Sequence, residues 1–171
     1  VVTSVSKKDL ENAYLVRSRL EGLAAFLAAQ YFTPEDIEFA RKLVDEAHQA
    51  ALASDAERAG ELASQFHELL WTRSKNHFLC DSLRRLGAHI ARGRVSSASH
   101  FDSSIRCNQG HRSILEAIAS SDPELAEKRM RDHVLNSICD SVMDLPDNDV
   151  SRDPFGDQAP PMTSEPDERL I

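Results

Sequence analysis

Along most of the chain, apolar side chains recur every three or four residues, and each such stripe opens on a residue type that caps helices. Ser6-Lys7-Lys8-Asp9 reads as a capping box with an acid in the place usually taken by Glu or Gln, followed by Leu10, Ala13, Leu20, Ala24 and Leu27 on one face. Thr33-Pro34-Glu35-Asp36 combines a Thr cap, Pro at the first helical position and acids at the positive end of the helix dipole. Ile37, Ala40, Leu43, Val44 and Ala47 continue that helix. Ser54-Asp55 precedes Ala59, Leu62, Ala63, Phe66 and Leu70, and Asn76 precedes Leu79, Leu83, Leu86 and Ile90. A serine-rich joint at 96–99 leads to Ile105, Ile114, Leu115 and Ile118. Asp122-Pro123-Glu124 then opens a last stripe through Met130, Val134, Ile138 and Val142. The pattern predicts helices over 7–30, 34–53, 55–73, 76–94, 101–120 and 123–143, packed as an antiparallel bundle of six. No period-2 run or Asn-Gly hairpin signal interrupts it, so the predicted fold class is all-α.

Beyond Leu145 the periodicity stops. Five of the seven prolines lie there, and from Asp144 onward eight acidic residues face only Arg152 and Arg169. This composition predicts a disordered acidic tail over 146–171, after a compact domain spanning 7–145. The opening Val1-Val2-Thr3-Ser4-Val5 has no initiator Met, and residues 1–6 read either as a trimmed start or as a linker arriving from an upstream domain. The segment from Asp144 onward carries −6 of the net charge of −8, leaving the body before it at −2. A body so nearly neutral has no basic stripe to neutralise phosphates, which argues against direct nucleic-acid binding by this segment. The longest apolar run, Leu23 to Ala29, is too short to span a bilayer, and no signal-peptide pattern is present, so the expectation is a cytoplasmic protein without membrane contact. Cys80, Cys107 and Cys139 form no CxxC pair and read as small buried or half-buried residues in a reducing compartment, not as a disulfide framework or a thiolate metal site.

Chemistry in a helical bundle is built from polar side chains that interrupt the apolar stripes. Four residues do so: Arg17 between Ala13 and Leu20, His67 between Ala63 and Leu70, His111 ahead of Ile114, Leu115 and Ile118, and His133 after Met130. Singly, a histidine at such a position is a hydrogen-bonded core residue. Three on three helices can instead converge as neutral imidazoles on a divalent metal. His89, three residues after Leu86, competes for the role, while His48, His77 and His100 fit the surface or joints. Arg17 reads either as half of an ion pair with a carboxylate from another helix or as a guanidinium facing a pocket, ready for an anionic ligand.

The ordered set of these residues resembles the effector-binding C-terminal FCD domain of GntR-family transcription regulators, in the FadR group and its VanR-like subgroup. Arg17-Ser18-Arg19-Leu20-Glu21 followed by an alanine-rich run resembles that family's opening, and Thr33-Pro34-Glu35-Asp36-Ile37 its second helix. Phe66-His67 with Leu70 and Ser74-Lys75-Asn76, then His111 through Ile118, Asp122, Ala126, Met130 and His133, follow the rest of the pattern over about 1–143. The resemblance implies a homodimer that senses a small organic acid, with operator DNA bound by a winged helix-turn-helix outside this chain. It also implies a divalent metal, zinc or nickel, held by His67, His111 and His133, with Arg17 facing the effector. Here the sequence departs from the family, because the expected Asp ligand four residues before the first histidine is Ala63. The open position is then left to water, a neighbouring acid or the effector's own carboxylate. Gly110, where an acid often precedes the second histidine, is a lesser departure. A different reading of three histidines with an open position is a metal-dependent hydrolase, although no acid stands at a general-base position beside them.

Overall fold

The computed structural model describes residues 6–93 and 100–142. Six helices follow one another: α1 (Lys7–Tyr31), α2 (Pro34–Leu52), α3 (Ala56–Arg73), α4 (His77–Gly93), α5 (His100–Ala119) and α6 (Pro123–Val142). Each bound lies within one residue of the sequence expectation, and no strand occurs among the described residues. Residues 1–5 of the expected linker over 1–6, and the whole of the expected tail over 146–171, lie outside the described residues.

The expected caps account for the starts. Ser6 and Asp9 form a reciprocal capping box on α1, and Thr33 and Asp36 form another on α2 beside Pro34. Single carboxylate or amide caps begin the others: Asp55 accepts from the Arg58 amide, Asn76 from Leu79 and Asp122 from Leu125. Two of the joints share one device. At the end of α2, the Asp55 amide bonds the Ala50 carbonyl and Ser54 bonds Ala51; after α5, Asp122 bonds Ala117 and Ser121 bonds Ile118. This is a Schellman closure, with a serine at φ 59° (Ser54) or 54° (Ser121) where glycine is usual. The same three-residue joint thus ends one helix in the left-handed region and caps the next.

α1 is the organising element. It packs along most of its length against α6 and also touches α3, α4 and α5. Its buried positions are mostly small (Ala13, Ser18, Gly22, Ala25, Ala28, Ala29), which brings the two helix backbones close. A Cβ at Gly22 would press into the Arg131 side chain of α6. Leu10, Tyr14, Phe66, Leu70, Ile114, Ile118 and Met130 fill the main core. Each stabilises by about 1.5–3 kcal/mol relative to exposure. The expected stripe residues Leu20 and Leu27 sit aside from this core, half-buried against Leu79 and Leu83 of α4 in a smaller cluster with Trp71. Among the described residues, no helix is long and apolar enough to cross a membrane.

A non-glycine residue in the left-handed region costs roughly 1 kcal/mol. Ser54→Gly and Ser121→Gly are therefore each expected to stabilise the domain by about 0.5–1 kcal/mol, raising Tm by roughly 2–4 °C. Thermal unfolding followed by circular dichroism checks this, and an unchanged or lowered Tm in both variants contradicts it.

Candidate metal centre

His67 stands on the inner face of α3 between Phe66 and Leu70, His111 on α5 ahead of Ile114, and His133 on α6 beside Met130. All three are buried, with 6%, 1% and 9% of their surface exposed. The Nε2 atoms of His67 and His111 lie 3.1 Å apart. One ligand atom from each of the three rings falls within 4.8 Å of the others. Two imidazole nitrogens on a shared ion at about 2.0–2.1 Å are themselves about 3–4 Å apart, so the first pair is at ligand spacing and the third ring has a nitrogen within 4.8 Å of both. The residues present therefore fit a divalent ion. His48 and His89 are half-buried and His77 is exposed; none joins the cluster, and His100's side chain lies outside the described residues.

For His111 and His133 the electrostatics favour neutral rings, the form that binds metals. Burial above all, then the neighbouring His133, His67 and Arg17, pushes His111 well below its ordinary 6.5. Burial and then His67 lower His133 to about 3, with Glu21 pulling the other way and Arg17 adding to the depression.

Behind His67 lies a residue that the stripes did not single out. Glu21 of α1 is completely buried. Its Oε2 receives the indole N–H of Trp71 at 2.7 Å and lies 3.0 Å from Nδ1 of His67. Its Oε1 accepts from Arg17 through Nε at 3.1 Å and an Nη at 3.0 Å. Burial pushes the carboxyl up, but attraction to His67, its hydrogen bond, Arg17 and the Trp71 indole outweigh it and leave the pKa at about 2. With Glu21 as acceptor, Nδ1 of His67 carries the proton and Nε2 turns its lone pair toward the other histidines, the carboxylate–imidazole arrangement that orients metal ligands. In the sequence this acid stood out only as the last residue of the Arg17-to-Glu21 opening motif, with no role attached, and its burial comes from α3 lying over that face of α1.

Arg17 itself unites the two readings offered for it. It is ion-paired, although with an acid of its own helix, and it also lines a cavity of about 550 Å³ next to the histidines. Ala63 lies on the same cavity wall, so no carboxylate reaches the histidines from the expected position. Cys107, Asn108 and Tyr14 contribute to the lining as well. Gly110 has a steric reason: a Cβ there would collide with the His133 ring, so this position admits no side chain while His133 stays where it is.

The sequence profile of the FCD domain matches residues 12–136. The chain belongs to the FCD domain family. Among the similar proteins, "Probable D-xylose utilization operon transcriptional repressor" of Paenarthrobacter nicotinovorans is 29% identical over 135 residues, covering 78% of this chain and 58% of that protein. "HTH-type transcriptional regulator McbR" of Escherichia coli strain K12 is 27% identical over 92 residues, 54% of this chain and 42% of that one. This FCD domain thus spans about half the length of the curated relatives it matches. The solved structure of E. coli McbR/YncC shares the fold, with a TM-score of 0.77 at 21% identity over 84% of this chain and 72% of that chain. Both curated relatives are transcription regulators, and neither suggests hydrolysis.

The depressed histidines give the metal-free FCD domain a defined pH response. Their folded pKa values lie below the unfolded value of 6.5, so the unfolded chain binds more protons as acid is added. Their contribution is full above 6.5 and is lost as pH falls from there toward the folded values, about 3 for His133. Each histidine contributes a slope of up to about 1.4 kcal/mol per pH unit. Glu21 adds a second loss below its ordinary 4.5, ending near 2. Urea midpoints measured in chelator should fall steadily once the pH drops below 6.5. A flat midpoint down to 4.5 would contradict these protonation states.

Proposed function

We propose that this FCD domain senses a small organic acid at a divalent-metal site held by His67, His111 and His133, and that binding tunes DNA affinity in a helix-turn-helix regulator of which the domain is a part. The observation that carries the reading is the meeting of three buried imidazoles from α3, α5 and α6 on a cavity that Arg17 also lines. The relatives' description as transcription regulators supports the regulatory half of it.

The cavity's volume of about 550 Å³ suits a small molecule, for which pockets run from roughly 300 to 1,000 Å³. A bound zinc or nickel ion would supply a Lewis-acidic anchor for a carboxylate. Arg17 commits Nε and one Nη to Glu21, and a guanidinium has five N–H donors, so others remain for the ligand's second acidic or polar group. Both oxygens of Glu21 are engaged and shielded from solvent, so it is no general base for a metal-bound water. The ion is therefore an anchor for ligand rather than a hydrolytic centre. The effector acts on DNA binding only through a difference in its affinity for two arrangements of the regulator. With a body at −2, operator DNA falls to the helix-turn-helix, not to this segment. The homodimer expected of the family needs an apolar face, and α1 offers one: Leu15 and Val16, and Leu23 two turns further on, stand 53%, 54% and 41% exposed. We assign that stripe to a second copy of the chain.

Zinc or nickel added to chelator-treated protein should raise Tm, and His111→Ala should abolish the rise, because stabilisation follows free metal over its dissociation constant. Ala63→Asp should tighten metal binding and weaken effector binding by filling the open position. Metal that leaves Tm unchanged in the parent protein would sink the metal site. Leu23→Glu should turn a dimer into a monomer by light scattering, and a mass unaffected by the change would remove the α1 stripe from the interface.

A further inference from the structure

One donor beside the histidines is unassigned. Cys107 sits four residues before His111 on α5, one turn along the same face, and lines the same cavity. Its Sγ lies 3.8 Å from Nε2 of His111, the atom that is itself 3.1 Å from Nε2 of His67. A tetrahedral zinc with Zn–N of about 2.0–2.1 Å and Zn–S of about 2.3 Å holds two nitrogens about 3.3 Å apart and a nitrogen and a sulfur about 3.5 Å apart. Both observed separations are within a few tenths of an ångström of those edges. The thiol is not one of the three mutually close ring atoms, but it lines the cavity on which they meet and lies against one of them.

The relation to Ala63 strengthens the assignment. Ala63 occupies the position one turn before His67 and offers no donor, whereas Cys107 offers one from the position one turn before His111. We propose that Cys107 is a fourth metal ligand, making the centre a three-histidine, one-cysteine site in place of a carboxylate site. This rests on the metal-site reading above and narrows it. One thiolate and three imidazoles in a tetrahedron select zinc over the harder, oxygen-preferring cations and remove the need for a carboxylate. On binding, the thiol proton passes to solvent and the sulfur lone pair forms the bond to the ion, so metal uptake releases one proton from Cys107. The effector then meets a four-coordinate ion, and its carboxylate enters as a fifth donor.

Cobalt(II) replaces zinc as a spectroscopic probe, because a thiolate ligand adds a sulfur-to-cobalt charge-transfer band in the near ultraviolet to the visible d–d bands. Titration of the full chain with cobalt should show both. Cys107→Ser should keep the visible bands, lose the ultraviolet band, and weaken cobalt binding by at least the ~10–100-fold typical of losing an outer hydrogen-bond partner of a ligand. Cys80→Ser should keep both sets of bands. Adding Ala63→Asp to Cys107→Ser should restore affinity without restoring the ultraviolet band, which shows that the variant still folds and that the thiol was the sulfur donor. Visible bands with no ultraviolet band in the parent chain, or an ultraviolet band that survives Cys107→Ser, would overturn the cysteine assignment while leaving the histidine site standing. Failure of cobalt to bind the parent chain at all would overturn both.

Discussion

The centre depends on the burial of one carboxylate. Removing an ionised Glu from water costs several kcal/mol unless its oxygens find charged or hydrogen-bonding partners. Glu21 finds them on two helices: Arg17 from its own, and His67 and Trp71, one turn apart, from α3. Because the partners are directional, the bonds fix the register of α1 against α3 as well as offsetting the burial. They also decide the orientation of His67, whose Nδ1 faces the acid and whose Nε2 faces inward. The guanidinium is held in the same grip, so the cavity's cationic wall and its imidazole floor are aligned by a single side chain.

α6 is placed by the opposite means, through absence of side chain. Gly22 on α1 gives way to Arg131, and Gly110 on α5 gives way to His133. The two contacts lie two residues apart on α6 and bear on it from two different helices. Together with the alanine-rich face of α1, they let α6 approach closely enough for the His133 ring to reach the other two. A polar clamp thus sets one histidine and close backbone packing sets another.

Much of this was legible in the sequence, for reasons that differ by residue. The helix starts were readable because caps are local: Ser6 with Asp9, Thr33 with Asp36, and Asp55, Asn76 and Asp122 each act within their own turn. The three histidines were readable because each interrupts an otherwise apolar stripe. Glu21 was not, because it follows Leu20 on a stripe drawn through Leu20 and Leu27. Those leucines in fact serve the smaller cluster with α4, and the main buried face of α1 runs through Tyr14, Ser18, Glu21 and Ala25. A helix packed on several sides has more than one inner face, and a single-period stripe cannot report both. Cys107 was passed over for a similar reason: without its place on the cavity wall, a solitary cysteine has the look of a small core residue.

The donors of the centre come from helices distant along the chain, with a sequence separation of 44 between His67 and His111 alone. The unfolded polypeptide therefore has no such site, and any ion or acid held there belongs wholly to the folded state. Inside a cell, the population of the opened chain governs how fast proteases consume a domain of this kind. An ion or acid bound in the cavity would consequently lengthen the survival of each copy of the protein as well as bias its state, and scarcity of ligand would be registered a second time, as lower abundance.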